Sequence, residues 1–263
     1  MKTKIEYHDD QKTIRTVYAV DENGVKQGAF ESYYGNGQLH IKCAYKDGKE
    51  DGLYESYYDN GQLCGKCAYK DGKENGPYEC YLENGQLVIK CAYKDGKKDG
   101  PYESYHENGQ LYEKCAYKDG KKDGPYVSYH ENGQLRQKCA FKDGKKDGSS
   151  ESYYDNGQLE MRCFLKDGKF DGPWERYYKW GELETKTIFK DGMKLEGEAA
   201  DTYLQEWEKA HAQQKAIKAE RKGINNRLAQ MDKQMKPTAL RQSAKRSVVA
   251  EFRAKFREKS AGK

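Results

Sequence analysis

Aromatic and polar residues alternate in short runs along most of this chain, and the runs return at a constant interval. From Gly28 to about Leu195, two Tyr-rich runs of about seven residues recur, separated by Asn-Gly and by Asp-Gly. Alternation at period two predicts strands whose two faces differ. Asn-Gly and Asp-Gly predict tight hairpins, because a type I′ turn needs positive φ at both central residues. Two strands and two turns fill nearly the whole 24-residue period. With no length left for a crossover helix, the chain must run as an antiparallel meander. About sixteen strands spaced ~4.8 Å apart would make a ribbon roughly 75 Å long.

The interval is kept without a slip. YKDGK begins at Tyr45, Tyr69, Tyr93 and Tyr117, followed by FKDGK at Phe141, LKDGK at Leu165 and FKDG at Phe189. NGQL begins at Asn36, Asn60, Asn84, Asn108, Asn132 and Asn156, then decays to WGEL at Trp180. The expected organisation is a degenerate N-terminal capping repeat over residues 1–27, seven repeats over 28–197, and a basic helical region over 198–263. Terminal repeats are expected to be atypical because one side lacks a neighbour.

A two-residue loop at Asn60-Gly61 would set Asp59 against Gln62, Tyr58 against Leu63, Glu55 against Lys66 and Tyr54 against Cys67. Alternation then places Tyr54, Ser56, Tyr58, Leu63, Cys67 and Tyr69 on one face, and Glu55, Tyr57, Lys66 and Ala68 on the other. The same opposition recurs as Glu31 with Lys42, Glu79 with Lys90, Glu103 with Lys114, Glu151 with Arg162 and Glu175 with Lys186. Val127 opposite Lys138 is the exception. Each cross-strand ion pair is worth only ~0.2–1 kcal/mol, so the series specifies register more than bulk stability.

Composition narrows the fold further. Hydrophobic and charged residues each make up 35% of the chain, with 23 Tyr, 27 Gly and 5 Pro. That excludes a membrane-spanning protein and disfavours a thick core, while the aromatic share and faultless register disfavour disorder. The N-terminal MKTKIEYHDDQK has no apolar segment after its lysines, so no secretory signal is expected. A cytoplasmic location with reduced thiols follows as the expectation. Net charge divides unevenly. Residues 198–263 hold 16 basic and 8 acidic residues, a net of +8, which leaves 32 basic and 35 acidic residues elsewhere, a net of −3.

The unit G-x-Y-x-x-Y-Y-x-N-G-Q-L…Y-K-D-G-K-x-D-G resembles the MORN repeat, specifically its bacterial MORN-2 variant, the YwqK-type antitoxin family. The resemblance covers residues 28–195. It implies an elongated, single-layer antiparallel β-meander that serves as a binding or scaffolding surface, with no catalytic residues to carry over. Eukaryotic members imply two classes of partner, membranes with phosphoinositides and the components of protein assemblies.

Cys43, Cys67, Cys91, Cys115, Cys139 and Cys163 hold one fixed place in the repeat. Members of this column lie two strands apart, about 9.6 Å, which is too far for a disulfide. They read as small buried hydrophobes. Cys64-Gly65-Lys66-Cys67 has C-x-x-C spacing, but i and i+3 face opposite ways on a strand, and Cys80 replaces the usual Ser. His106 and His130 stand where Tyr58 stands in its own unit. No Ser-His-Asp order, P-loop, H-E-x-x-H or G-x-S-x-G occurs, so neither enzyme activity nor a cofactor or metal is expected.

Two aromatic columns remain. Tyr33, Tyr57, Tyr81, Tyr105, Tyr129, Tyr153 and Tyr177 stand in every unit on the ion-pair face and are the candidate partner-binding surface. Phe30, Tyr54, Tyr78, Tyr102, Tyr126 and Trp174 share the other face with the cysteines. Beyond the repeats, Tyr203, Ala210, Ile217, Ile224 and Met231 recur every seven residues, predicting a helix from about Ala199 to Met235 that ends before Pro237. A second helix, about Thr238 to Lys259, carries Leu240, Ala244, Val248, Phe252 and Phe256. Its basic faces bear the second set of candidate contacts: Arg241, Lys245, Arg246, Arg253, Lys255, Arg257 and Lys259.

The expected fold is mainly β with an α tail. The expected function is non-enzymatic, stoichiometric protein binding, antitoxin-like or inhibitory, through the tyrosine surface and the basic tail. Two alternatives are peripheral binding to anionic membrane lipid and nucleic-acid binding by the C-terminal helices. A small-molecule substrate is not expected.

Overall fold

The computed structural model describes residues 1–234. The chain divides into two units, Met1–Leu195 and Glu196–Lys263. The first is one open sheet of 21 strands. Successive strands pair antiparallel from Lys2–Tyr7 at one edge to Met193–Leu195 at the other. Four arms of the meander are interrupted once, so the 21 segments make 17 crossings. One such arm is Lys49–Glu50 followed by Gly52–Tyr57. There the Asp51 N–H donates to the Ala44 carbonyl (2.9 Å), and Gly52 turns the chain at φ 119°, a conformation only glycine enters without strain. The result is a kink that recurs once per repeat.

The two turn types differ, although the sequence suggests one. At Asp47-Gly48 both residues have positive φ, 49° and 77°, and Lys46 pairs with Lys49, which is the expected type I′ hairpin. At Asn60-Gly61 only Gly61 is left-handed, at φ 83°. The Gly61 N–H donates to the Tyr58 carbonyl (2.9 Å) and the Tyr58 N–H to the Gln62 carbonyl (2.8 Å). This is a three-residue loop, a type I turn completed by a left-handed glycine. Asn60 is needed for its side chain: Oδ1 accepts the Gln62 N–H (2.9 Å), while Nδ2 donates to the Glu83 carbonyl of the next unit (3.3 Å).

The longer loop corrects part of the expected register. Leu63 pairs with Tyr57 rather than Tyr58, and so shares the Tyr57 face. Ser56 then pairs with Gly65, leaving Cys64 as an extra, bulged residue. The loop shifts the register by one and the bulge shifts it back. Glu55 opposite Lys66 and Tyr54 opposite Cys67 are therefore as expected.

Burial concentrates on the face of Tyr54 and Cys67. All six column cysteines are buried there, together with Tyr102, Tyr126 and the serines at 32, 104, 128 and 150. Burial pushes the thiols of Cys43, Cys67 and Cys115 up to about 11. Within each unit a ring from one strand meets a ring from the next: Tyr54–Tyr69 at 5.4 Å, Tyr78–Tyr93 at 5.6 Å, Tyr102–Tyr117 at 5.4 Å and Tyr126–Phe141 at 5.5 Å between centroids. Such pairs add about 0.5–1.5 kcal/mol beyond area burial. The Lys98 and Lys122 ammonium groups sit 4.6 and 4.5 Å over the Tyr102 and Tyr126 rings. A sheet one layer thick thus covers one of its faces with its own tyrosines.

In the second unit, one helix spans Gly197–Gln234 and passes through Gly223 without a break. Tyr203, Leu204, Trp207 and His211 are half-buried, while Ala210, a member of the expected stripe, is exposed. The Trp207 and His211 rings stack at 3.6 Å, and the Trp207 carbonyl lies 2.9 Å from His211 Nδ1. Met235, Pro237 and the expected helix over 238–259 lie outside the described residues, as do all seven candidate basic contacts from Arg241 to Lys259.

Candidate binding surface

The tyrosine column proposed from sequence is a row of clamps. Tyr33, Tyr57, Tyr81, Tyr105, Tyr153 and Tyr177 each donate their hydroxyl to the Glu two residues earlier, at 2.5 to 3.1 Å. Several of these carboxylates also meet the lysine ladder. Glu79 lies between Lys66 (2.7 Å) and Lys90 (3.3 Å), one from each neighbouring strand. The Lys66 ammonium, with the Tyr81 hydroxyl, holds the Glu79 carboxyl down at about 2. Glu103 bonds Lys114 at 2.7 Å, and Arg162 reaches Glu151 at 3.4 Å and Glu175 at 3.8 Å. All seven tyrosines of the column are half-buried.

Val127 breaks the row. It pairs with Lys114 on one side and Lys138 on the other, so Tyr129 stands beside two lysines without a carboxylate at the usual place. Val127→Glu is expected to restore the clamp and raise stability by about 0.5–1 kcal/mol at low salt. Urea denaturation would show the gain, and high salt should erase most of it.

A second row runs along the hairpin ends. The hydroxyls of Tyr34, Tyr58 and Tyr154 donate to the carbonyls of Tyr57, Tyr81 and Tyr177, each 23 residues ahead, at 2.8 to 2.9 Å. His106 and His130 take the same role. Their Nε2 atoms lie 3.0 and 2.8 Å from the Tyr129 and Tyr153 carbonyls, as expected of histidines that replace this tyrosine. Their partners are structural, and among the described residues no cluster of His, Cys, Asp or Glu is arranged to hold a metal ion.

The covered face is interrupted at a single unit. Ser150 stands where Tyr54, Tyr78, Tyr102 and Tyr126 stand in theirs, paired with Cys163, and Leu165 replaces the second ring of the pair. A cavity of about 460 Å³ has Tyr126 and Trp174, one unit to each side, in its walls, while Ser150 itself is buried and is not part of the lining. Tyr112, Arg136, His130 and Arg176 complete the part relevant to binding. Arg136 is the bulged residue of its hairpin, opposite neither Ser128 nor Tyr129, and its guanidinium lies 3.5 Å from the Tyr112 hydroxyl. Arg176 pairs with Glu184 at 3.2 Å. A neighbouring depression of about 430 Å³ shares His130 and Arg136, so the concavity continues across the hairpin ends.

Sequence reasoning passes over Ser150, Arg136 and Arg176. The signal for the first is visible: the column of large rings jumps from Tyr126 to Trp174. The signal for Arg136 is its place after NGQL, where successive units carry His40, Cys64, Val88, Tyr112, Arg136, Glu160 and Glu184. That position carries a different chemistry in nearly every unit.

A model of the MORN repeat variant family matches residues 26–47, 50–71, 74–95, 98–119, 122–143 and 146–167, half of the chain. A search of curated proteins found no match. Among solved structures, the chain is similar to the crystal structure of TcdB2-TccC3-Cdc42, with 13% identity over 73% of this chain and a TM-score of 0.22. It is similar also to the crystal structure of TcdB2-TccC3, with 13% identity over 70% of this chain and a TM-score of 0.22. The chain spans 12% of the length of each of those two chains.

Proposed function

We propose, since this chain belongs to the MORN repeat family in its variant form, that it is a non-enzymatic binding ribbon that holds a partner protein at the cavity between Tyr126 and Trp174. MORN repeats are generally protein- or membrane-binding modules, and the family is generally non-enzymatic. The supporting observation is the recess between Tyr126 and Trp174, walled by aromatic rings and edged by two guanidinium groups. Aromatic side chains and Arg are the residues enriched at protein interfaces and at their energetic centres. The guanidinium groups of Arg136 and Arg176 outnumber the carboxylate of Glu160 there, so the partner segment carries acidic side chains beside an apolar anchor.

The clamped tyrosines from Tyr33 to Tyr177 would act as the scaffold of this site and as its second face. Arg241, Lys245, Arg246, Arg253, Lys255, Arg257 and Lys259 would add electrostatic attraction from the tail. Occupying a surface one-to-one is also how an antitoxin-like inhibitor would work, and the buried, reduced cysteine column suits a cytoplasmic protein.

Arg136→Glu changes an exposed side chain outside the buried core and should weaken binding to a partner isolated with the wild-type chain at least tenfold, about 1.4 kcal/mol. Titration calorimetry would measure it. Unchanged affinity in both Arg136→Glu and Trp174→Ala would remove the cavity from the contact.

The net charge of +8 over residues 198–263 favours a second reading, peripheral attachment to anionic membrane or nucleic acid. Among the described residues no helix is long and apolar enough to cross a membrane. Vesicle flotation with and without acidic lipid, and a gel shift at several salt concentrations, separate these from protein binding.

A further inference from the structure

Two of the eight cysteines stand outside the buried column. Cys64 and Cys80 are half-buried, each in the reduced form. They are sixteen residues apart in sequence and meet across the paired strands Leu63–Lys70 and Lys73–Tyr81, where Cys80 is the register partner of Gly65. Consecutive residues on a regular strand face opposite ways, which would part Cys64 from Cys80. Cys64, however, is the bulged residue. In later units the bulged residue and its successor line one cavity together, Arg136 with Gln137 and Glu160 with Met161. Cys64 accordingly shares a face with position 65, and so with Cys80.

Position 65 is buried and carries no side chain. It is a glycine, and a Cβ there would meet only the Glu79 carbonyl at 3.3 Å and Ser56 Oγ at 3.6 Å. No side chain at position 65 stands between the two thiols. Strand spacing and residue rise place the Cα atoms of Cys64 and Cys80 about 6 Å apart, inside the ~4.4–6.8 Å span of disulfides.

Tyr58 joins the pair. In equivalent places Tyr34 packs on His40 at 4.4 Å and His106 on Tyr112 at 4.9 Å. Tyr58 meets Cys64 likewise, and its hydroxyl donates to the carbonyl of Tyr81, the residue after Cys80 (2.8 Å). The Tyr58 phenol is pushed up to about 12, first by its hydrogen bond with the Cys64 thiol, then by burial and by the nearness of both Cys64 and Cys80.

We propose that Cys64 and Cys80 form an oxidation site, closing a cross-strand disulfide between adjacent repeats when the protein meets an oxidant of the peroxide class. One thiolate attacks the peroxide, forming an S–O bond as the O–O bond breaks, and the leaving oxygen takes a proton. The second thiolate attacks that sulfur, the S–S bond forms, and the S–O bond breaks with release of water. Two thiols lose two electrons and two protons, and hydrogen peroxide becomes two waters. A small thiol reductant reverses the change. The column cysteines take no part, being buried and about 9.6 Å from one another.

Treating the full chain with hydrogen peroxide, then counting thiols after denaturation, should show six remaining of the original eight. Peptide mapping without reduction should give one cross-link, Cys64 to Cys80 within a single chain, and dithiothreitol should restore all eight. Cys80→Ser installs the residue found at 104, 128 and 152, so the variant keeps the local packing, and without the second thiol it should give no cross-link at Cys64, oxidation stopping at the sulfenic acid. A wild-type chain that yields no Cys64–Cys80 cross-link, a cross-link to any column cysteine, or a link between chains that vanishes on dilution would each overturn the assignment.

Discussion

Raising the pH from 10 to 12 should unfold the repeat sheet in one cooperative step. The tyrosines that hold it together are protonated in the folded state well above their ordinary range. Burial first, with neighbouring carboxylates and thiols adding to it, pushes Tyr69, Tyr93 and Tyr117 up to about 12. Tyr33 reaches about 12 chiefly through its hydrogen bond to Glu31, and Tyr153 through burial and then Glu151. A folded-state value above the unfolded value near 10 means the native protein holds the proton more tightly. The stabilisation is therefore complete below about pH 10 and is lost as pH rises toward 12. Holding a proton ten times more tightly is worth about 1.4 kcal/mol, and solvent screening of these partly exposed phenols leaves about 1 kcal/mol per tyrosine. Five such residues match the lower end of the ~5–15 kcal/mol that holds a domain folded. Lys66 and Lys114 are likewise raised, first by their hydrogen bonds to Glu79 and Glu103, so the loss of their charge at high pH acts in the same direction. Circular dichroism and phenolate absorbance should change together. Phenols that ionise near pH 10 with the sheet signal intact would refute the account.

Tyr102→Ala should be the most damaging single truncation, at about 3–5 kcal/mol. Tyr102 pairs with Cys91 on one strand and Cys115 on the other, and its ring meets Tyr117 and lies under the Lys98 ammonium. It sits near the middle of a sheet in which each unit touches only its neighbours, so weakening it should also divide the cooperative transition. Urea unfolding of Tyr102→Ala should show a lower midpoint and two phases, whereas Phe30→Ala, near an end, should keep one. Ser150, itself buried, shows that a small residue can occupy this column in one unit, whereas Tyr102 lies in the buried cluster with Tyr126, Cys91, Cys115 and Cys139.

Much of this is legible in the sequence because the period is constant and strand alternation is simple. Glu opposite Lys, Tyr opposite Cys, the antiparallel meander and the helix after Gly197 all follow from those two facts. The Asn-Gly loops mislead because their dipeptide suits a two-residue turn as well as a three-residue one. The error stays local, since the bulge at Cys64 cancels the shift before Glu55 is reached. The irregular positions are harder to see. Ser150 interrupts the ring column by an absence, and Arg136, at the proposed site, stands on a bulge that alternation does not predict. The nearness of Cys64 to Cys80 depends on that same bulge, and no spacing rule along one strand would find it.

The bonds that run 23 residues ahead, from Tyr58 to Tyr81 and from Asn60 to Glu83, tie one unit to its successor, as do their counterparts from Tyr34, His106, His130 and Tyr154. Because loop and bulge cancel within one period, adding or removing a whole unit leaves each local bond and the register unchanged. Length is therefore a free variable in this architecture, adjustable in steps of about 9.6 Å.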